Sequence, residues 1–160
     1  MRIGVISDTH SRPIPTSAVA DLKKMDFIIH AGDICCEESL RQLQKINEIK
    51  AVHGNMDDGK LRGQLARTQL IRCGAFTIGV FHGEGHPDRL LACVQKEFKD
   101  QKVDAVVFGH SHHPFNEKIG SVLFFNPGSI TDTVFAPYRS YGILDITDKI
   151  TATIVRIDEQ

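Results

Sequence analysis

No stretch of this 160-residue chain approaches the ~18 consecutive apolar residues of a membrane-spanning helix. The apolar opening Ile3-Gly4-Val5-Ile6 runs straight into Asp8 and His10, too short for the hydrophobic region of a secretory signal. Cysteine is scarce. Cys35, Cys36, Cys73 and Cys93 form neither a CxxC pair nor a disulfide-dense pattern, so reduced thiols and a cytoplasmic location are expected. Cys73 and Cys93 read as small buried hydrophobes. Charge is equally unpatterned: 19 Lys and Arg against 20 Asp and Glu leave a net charge of −1, with no block of one sign. That excludes a nucleic-acid footprint built from basic patches and a polybasic membrane anchor. No GxSxG is present and Ser7 leads directly into Asp8, which excludes a nucleophile elbow. There is no linker, low-complexity segment or internal repeat. With 41% apolar residues, residues 1–160 read as one domain large enough to bury a core.

What the chain does have is a recurring ending. Five apolar runs each stop at metal-type ligands. Ile3-Gly4-Val5-Ile6 leads to Asp8-Thr9-His10, and Phe27-Ile28-Ile29 through His30-Ala31-Gly32 to Asp33. Ala51-Val52 precedes His53-Gly54-Asn55-Met56-Asp57, Ile78-Gly79-Val80-Phe81 precedes His82-Gly83, and Val106-Val107-Phe108-Gly109 ends in His110-Ser111-His112. In an open α/β sheet, the crevice beyond the carboxyl ends of the strands gathers groups from distant parts of the chain. The adjoining Gly32, Gly54, Gly83 and Gly109 permit sharp turns and close backbone approach.

The first half alternates strand and helix: strand 2–7, helix 16–25, strand 26–30, a helix from about 38 to 49 with Leu40, Leu43, Ile46 and Ile49 on one face, and strand 50–53. Such alternation implies parallel pairing and right-handed crossovers. Residues 69–72 and 76–81 read as a hairpin entering a central strand, and Pro87 opens a helix carrying Leu90, Leu91, Val94 and Phe98. Strand 103–108 is apolar throughout. After His112 the pattern is all strand and turn, with Asn126-Pro127-Gly128 as a turn and strands 141–146 and 150–157 around Asp148-Lys149. This tail is expected to form a second, mostly antiparallel sheet packed on the first. The fold class is therefore α/β, a two-sheet sandwich with helices outside.

Asp, Asn and His without thiolate make a mixed oxygen and nitrogen set suited to Mn²⁺, with Fe, Zn or Ni also compatible. Two ions need a shared ligand, and Asp33, alone after its strand, is the natural carboxylate bridge. Asp8 and His10, one residue apart, can reach one ion from a single loop; His110 and His112 repeat that spacing and can also serve one ion each. Two ions about 3.5–4 Å apart clamp an in-line displacement and generate hydroxide at neutral pH, which predicts phosphate-ester hydrolysis without a protein nucleophile.

Asp8-Thr9-His10, Gly32-Asp33, Gly54-Asn55, His82-Gly83 and Gly109-His110-Ser111-His112 resemble the five signature blocks of the calcineurin-like metallophosphoesterases. With Asn126-Pro127-Gly128-Ser129 the resemblance extends through most of the chain, to the small YfcE-type phosphodiesterases of bacteria and archaea. It implies a four-layer sandwich of two mixed β-sheets flanked by helices. It also implies that Asp8, His10, Asp33 and His112 hold one metal and that Asp33, Asn55, His82 and His110 hold the other, these last four being the residues expected to carry catalysis. A homodimer or homotetramer is in keeping with the resemblance. Many members of the wider family carry His after the Gly-Asn, proposed to protonate the leaving oxygen. Here that position is Met56, a trait shared with the small YfcE-type group. Good leaving groups such as aryl esters are therefore expected to be favoured, unless His86 or His113 supplies a proton.

Other polar residues have blander readings. His30 and His53 sit at apolar strand ends and read as core histidines or supports for a ligand. Asp57 reads equally as a carboxylate orienting a ligand histidine or as a turn residue. Arg12 and Arg139 read first as solvated arginines and second as phosphate clamps. Ser129 reads as structural. Cys35-Cys36 lies close to Asp33, but adjacent side chains rarely both reach one ion. The expected substrate is a small phosphodiester. A phosphomonoesterase on the same metals is the first alternative, disfavoured because no Lys/Arg-rich segment lies near the ligand blocks. A protein-binding scaffold resembling the retromer subunit of this fold is the second.

Overall fold

The computed structural model describes residues 1–157. The first half runs β1 (Arg2–Ile6), α1 (Thr16–Leu22), β2 (Phe27–His30), α2 (Glu37–Gln44), β3 (Ile49–Ala51), α3 (Gly59–Gln64) and β4 (Thr68–Cys73). The second half runs β5 (Phe76–Phe81), α4 (Pro87–Glu97), β6 (Ala105–Val107), β7 (Phe115–Ile119), β8 (Val122–Asn126), β9 (Ser140–Ile146) and β10 (Ile150–Arg156). They form two five-stranded sheets, ordered β10-β9-β1-β2-β3 and β4-β5-β6-β8-β7. Both are mixed. β1, β2 and β3 pair in parallel while β9 joins β1 antiparallel. β5, β6 and β8 are parallel, flanked by antiparallel β4 and β7.

The period-two alternation of the strands sorts side chains between layers. Ile3, Val5 and Ile29 face the second sheet, where they pack with Ile78, Val80, Val107 and Phe125. Ile6 and Ile28, on the opposite face, pack with Ala18 and Leu22 of α1 and Leu40 and Leu43 of α2. Gly4 shares that outer face, where a Cβ would come within 2.6 Å of Leu22 Cδ2, so α1 sits closer to the sheet than any side chain there would allow. On the far side Leu90 and Val94 of α4, with Phe98 at its C-cap, cover Phe81, Val106 and Phe124. The order is thus helices, sheet, sheet, helix. Each fully buried Ile or Val contributes roughly 1.5–3 kcal/mol of transfer free energy.

Three elements differ from the sequence expectation. The tail does not make a sheet of its own: β7 and β8 complete the second sheet and β9 and β10 extend the first. Alternation alone marks a strand without naming its neighbour. The second helix ends at Gln44 rather than 49, because Asn47 Nδ2 donates to Leu22 O (3.0 Å) and Met25 O (2.7 Å) and pulls the chain out of helical path. The segment after Asp57, assigned no helix from the sequence, opens α3, with the Asp58 carboxylate accepting from Leu61 N at 2.8 Å as a helix N-cap.

The carboxyl ends of β1, β2, β3, β5 and β6 meet on one rim. Asp8 N donates to Gly32 O (3.1 Å) and Gly109 N to His82 O (3.0 Å), tying the strand-end loops together within each sheet.

Candidate metal centre

All seven predicted ligands converge on that rim. Asp8 Oδ1 lies 3.3 Å from His112 Nε2 and 4.0 Å from both His10 Nε2 and His82 Nε2. Asp33 Oδ2 lies 3.3 Å from His82 Nε2 and 3.9 Å from His10 Nε2. Asn55 Oδ1 faces His82 Nε2 at 3.2 Å and His110 Nδ1 at 3.0 Å. Asp8, His10 and His112 form one cluster with a ligand atom each within 4.8 Å of one another, and Asp8, Asp33 and His82 form a second. Asp33 Oδ2 faces both halves, as a bridge requires. Asp8 Oδ1 does so too, which the division of ligands implied by the family resemblance did not include.

The backbone is bent to make this possible. Asp8, His10, Asp33, His110 and His112, five of the seven, have left-handed φ between 46° and 70°. That region costs a non-glycine residue about 1 kcal/mol or more, and strain of this kind concentrates where a site needs it. Gly54 lets the Asn55 loop approach Asp33 closely; a Cβ there would overlap Asp33 Oδ1. At Gly109 a Cβ would overlap Ser7 Oγ.

The rings are oriented from behind. His82 Nδ1 donates to Ala31 O (2.7 Å), His110 Nε2 to Gly85 O (2.8 Å) and His112 Nδ1 to Asp132 Oδ2 (2.5 Å). A ring whose N–H is committed to an acceptor presents a bare lone pair on its other nitrogen. Those lone pairs face carboxylate and amide oxygens or, for His112, also His10 Nε2 at 3.2 Å. Acceptors aimed at acceptors call for a shared cation or for protons between them. Asp8 Oδ1 makes the same point: it is fully buried and has no aligned hydrogen-bond donor. The donor set therefore fits divalent metal.

The electrostatics agree. Burial pushes the Asp8 and Asp33 carboxyls up, but the close approach of His112 to one and of His82 to the other, with the surrounding imidazolium charge, leaves both below the ordinary range. Burial disfavours charge on His112, yet Asp8 and then Asp132 hold it protonated up to about 9. Asp132 is correspondingly lowered to about 2, burial being outweighed by His112 and the Val134 and Phe135 amides. Where metal is not bound, protons satisfy the same demand for positive charge.

The supporting residues sort differently from the sequence reading. His30 is fully buried, its Nδ1 accepting from Gly32 N (3.2 Å) and its Nε2 donating to Thr9 Oγ1 (3.1 Å); burial lowers it to about 3, so it is a neutral prop between Asp8 and His10, as anticipated. His53, by contrast, is half-exposed in a cleft of about 190 Å³ with Asn55 and His82, not in the core, because the chain leaves the sheet after Ala51. The Asp57 carboxylate is joined to no histidine by a hydrogen bond or ion pair among the described residues. Its two oxygens accept from Cys35 N (2.5 Å) and Gly54 N (2.7 Å), stapling the Asp33 loop to the Asn55 loop. Ser129 is structural at the site itself, donating to Asp8 O at 2.8 Å. Cys35 Sγ lies 3.6 Å from His10 Nδ1, and burial, with Asp57 and Asp33, pushes the thiol up to about 11. His86 caps α4, and His113 Nδ1 donates to Ser111 O at 2.7 Å; no described contact joins either ring to the ligands. Arg12 lines a groove with Thr9 and Ser11, and Arg139 a separate cleft with Thr133 and Arg156.

Two residues were not singled out from sequence. Asp132 follows the Asn-Pro-Gly-Ser turn with nothing local to mark it. Arg62 donates from Nε to Asp57 O (2.8 Å) and from Nη2 to Asn55 O, and lines the His53 cleft with Arg67. The absence of basic residues along the ligand blocks therefore does not extend to space. Arg67 is matched by Glu97 and Glu84, whereas no described carboxylate pairs with Arg62.

Known proteins resemble this chain in sequence and fold. The calcineurin-like phosphoesterase superfamily domain matches residues 1–149. A probable metallophosphoesterase of Methanocaldococcus jannaschii is 34% identical, the match covering 99% of this chain and 83% of that protein. A phosphodiesterase of the same organism is 27% identical over 97% of this chain and 99% of its own length. Among solved structures, wild-type Vps29 of Entamoeba histolytica complexed with Zn²⁺ has a TM-score of 0.74 at 26% identity, covering 98% of this chain and 99% of that one. A novel archaeal phosphodiesterase shares the fold with a TM-score of 0.80 at 22% identity, over 98% of this chain and 100% of that one. The chain belongs to the calcineurin-like phosphoesterase superfamily.

Proposed function

We propose that the chain is a phosphodiesterase dependent on two divalent ions, most simply Mn²⁺. Asp8, His10 and His112 would hold one ion, Asn55, His82 and His110 the other, with Asp33 between them. The observation that carries this reading is the convergence of carboxylate, amide and imidazole ligand atoms on one rim, around a fully buried Asp8 Oδ1 that no donor among the described residues meets in hydrogen-bond geometry. When bound, the ions would supply Lewis acidity toward a phosphoryl oxygen and toward the attacking water. The remaining work belongs to the chain. Ala31 O, Gly85 O and Asp132 fix the ring orientations, so little reorganisation is needed when phosphate arrives. The Asp57 staple and Gly54 hold Asn55 against Asp33.

Met56 is 58% exposed at the position where a proton donor would stand, and its thioether cannot donate. Departing groups that leave as stable anions, such as aryloxides, suit this site best. The 27% identity to a phosphodiesterase across nearly the whole chain supports the diester reading. A monoesterase is the second reading, favoured by Arg62: its guanidinium lines the cleft beside Asn55 and His82, where the extra charge of a monoester would be met.

Elemental analysis beside turnover of an aryl phosphodiester and an aryl phosphomonoester tests both. The native chain is expected to take up two ions and favour the diester, while Asp33→Asn loses turnover by about 10³-fold. Full activity in Asp33→Asn would overturn the mechanism. Faster monoester turnover selects the second reading, and a metal-loaded chain inert to both esters indicates a scaffold.

A further inference from the structure

We infer that Asp132 is a positioning residue that couples metal binding at His112 to the conformation of an exposed apolar tip, Val134-Phe135; this rests on the metal reading above. Asp132 is 4% exposed, and four donors converge on its carboxylate. His112 Nδ1 and the amides of Phe135 (3.2 Å) and Ala136 (3.1 Å) share Oδ2, and Val134 N reaches Oδ1 at 2.9 Å. Phe135 N is also 3.3 Å from Oδ1. The backbone beneath is pinned as well. Asp132 N donates to Ser129 Oγ (3.0 Å), and Ser129 Oγ donates in turn to Asp8 O (2.8 Å). Asp132 is thus tied to two of the three ligands of one cluster, to His112 by its side chain and to Asp8 through Ser129.

A carboxylate behind a ligand imidazole fixes its tautomer and rotation and raises its basicity, and removing such a partner typically weakens metal binding by about 10–100-fold. Here the same oxygen also terminates the 133–136 turn, so the His112 ring cannot reorient without disturbing that turn. The tip it holds carries Val134 and Phe135 at 72% and 74% exposure, large apolar side chains with almost no packing to fix them. Their position therefore depends on the carboxylate and not on burial. Linkage makes the relation reciprocal: whatever ordering of the turn does for metal affinity, metal does for the turn by the same factor.

Asparagine distinguishes the two arms. It retains an oxygen able to accept from the turn amides but loses the charge on His112. Asp132→Asn is expected to weaken Mn²⁺ binding about 10–100-fold in a competition titration with a chromophoric chelator, with Asp132→Glu recovering part of the loss. In an otherwise native chain, Phe135→Trp should change its emission along the same Mn²⁺ titration that fills the site, and Asp132→Asn should displace that response to higher metal. A folded Asp132→Asn chain, by circular dichroism, with native Mn²⁺ affinity overturns the positioning role. Emission of Phe135→Trp that stays constant while Mn²⁺ binds overturns the coupling, and decides the matter if Asp132→Asn does not fold. A native chain that takes up no Mn²⁺ overturns the metal reading itself, an outcome separate from the other two.

Discussion

Between the sheets, Ile3, Val5, Ile29, Val80, Val107 and Phe125 are fully buried and touch one another. Two to four residues further on, just past the ends of the same strands, Asp8, Asp33 and His82 are buried just as deeply, at 0%, 2% and 1% exposure, but they are polar and charged. The first region gains free energy from every contact and uses extended backbone throughout. The second spends it, with left-handed backbone at five ligand positions and a buried carboxylate oxygen that no donor satisfies. The difference teaches where stability and function were separately placed. The sandwich can carry the strain because its interior is uniform and dry, and the rim stays poised for a cation because its acceptors are fixed before the cation arrives.

Damage to the core should therefore leave the rim's chemistry intact. Phe125→Ala is expected to cost about 3–5 kcal/mol in denaturant unfolding, since the ring is wholly buried and packs against Gly142, where a Cβ would overlap it. The molecules that remain folded should bind metal with native affinity. A parallel loss of metal affinity would break the separation.

Filling the rim should relieve it without touching the core. Mn²⁺ at about 100 times its dissociation constant should add about 2.7 kcal/mol to stability for a single site. The same increment should appear in Phe125→Ala, because distant sites add. A much smaller increment in the variant would show that the two regions are coupled.

The smallest effect is set by pH. His112 is held protonated in the folded chain up to about 9, above its ordinary value of 6.5: burial opposes this, and Asp8 and Asp132 outweigh it. A raised folded value contributes stability that is fully present below the unfolded value and is lost as pH climbs through the folded one. Chelator-treated protein should thus melt lower at about pH 9.5 than at about pH 6.5, by roughly 2–4 °C for each kcal/mol lost. With metal bound, no proton is left on the ligand nitrogen and the slope should flatten. A rise in melting temperature over that range without metal would show that the imidazolium does not stabilise the apo rim.

The candidate ligand set was legible because each of its members is announced locally. An apolar run predicts a strand, and a short polar group after it must lie at the strand's carboxyl end, so Asp8, His10, Asp33, Asn55, His82, His110 and His112 could be named from one dimension. The parallel half of the first sheet and the α4 helix followed from the same periodicities. His53 was misplaced because a histidine beside Ala51-Val52 looks like strand until the chain is seen to leave the sheet. The α3 helix was hidden by Gly59 and Gly63, two residues that weaken any helical pattern.

What the sequence determined by itself is the set of polar side chains at the rim and the layered class of the fold, since both are announced by local patterns along the chain. What only the tertiary structure decided is who stands behind those ligands and beside them. Asp132 reaches His112 from twenty positions away, Arg62 reaches the Asn55 carbonyl from a helix the pattern concealed, and the tail divides between sheets whose edges no strand identifies alone. A hydrogen bond between distant residues leaves no periodicity and no spacing. It exists only once the two sheets have packed.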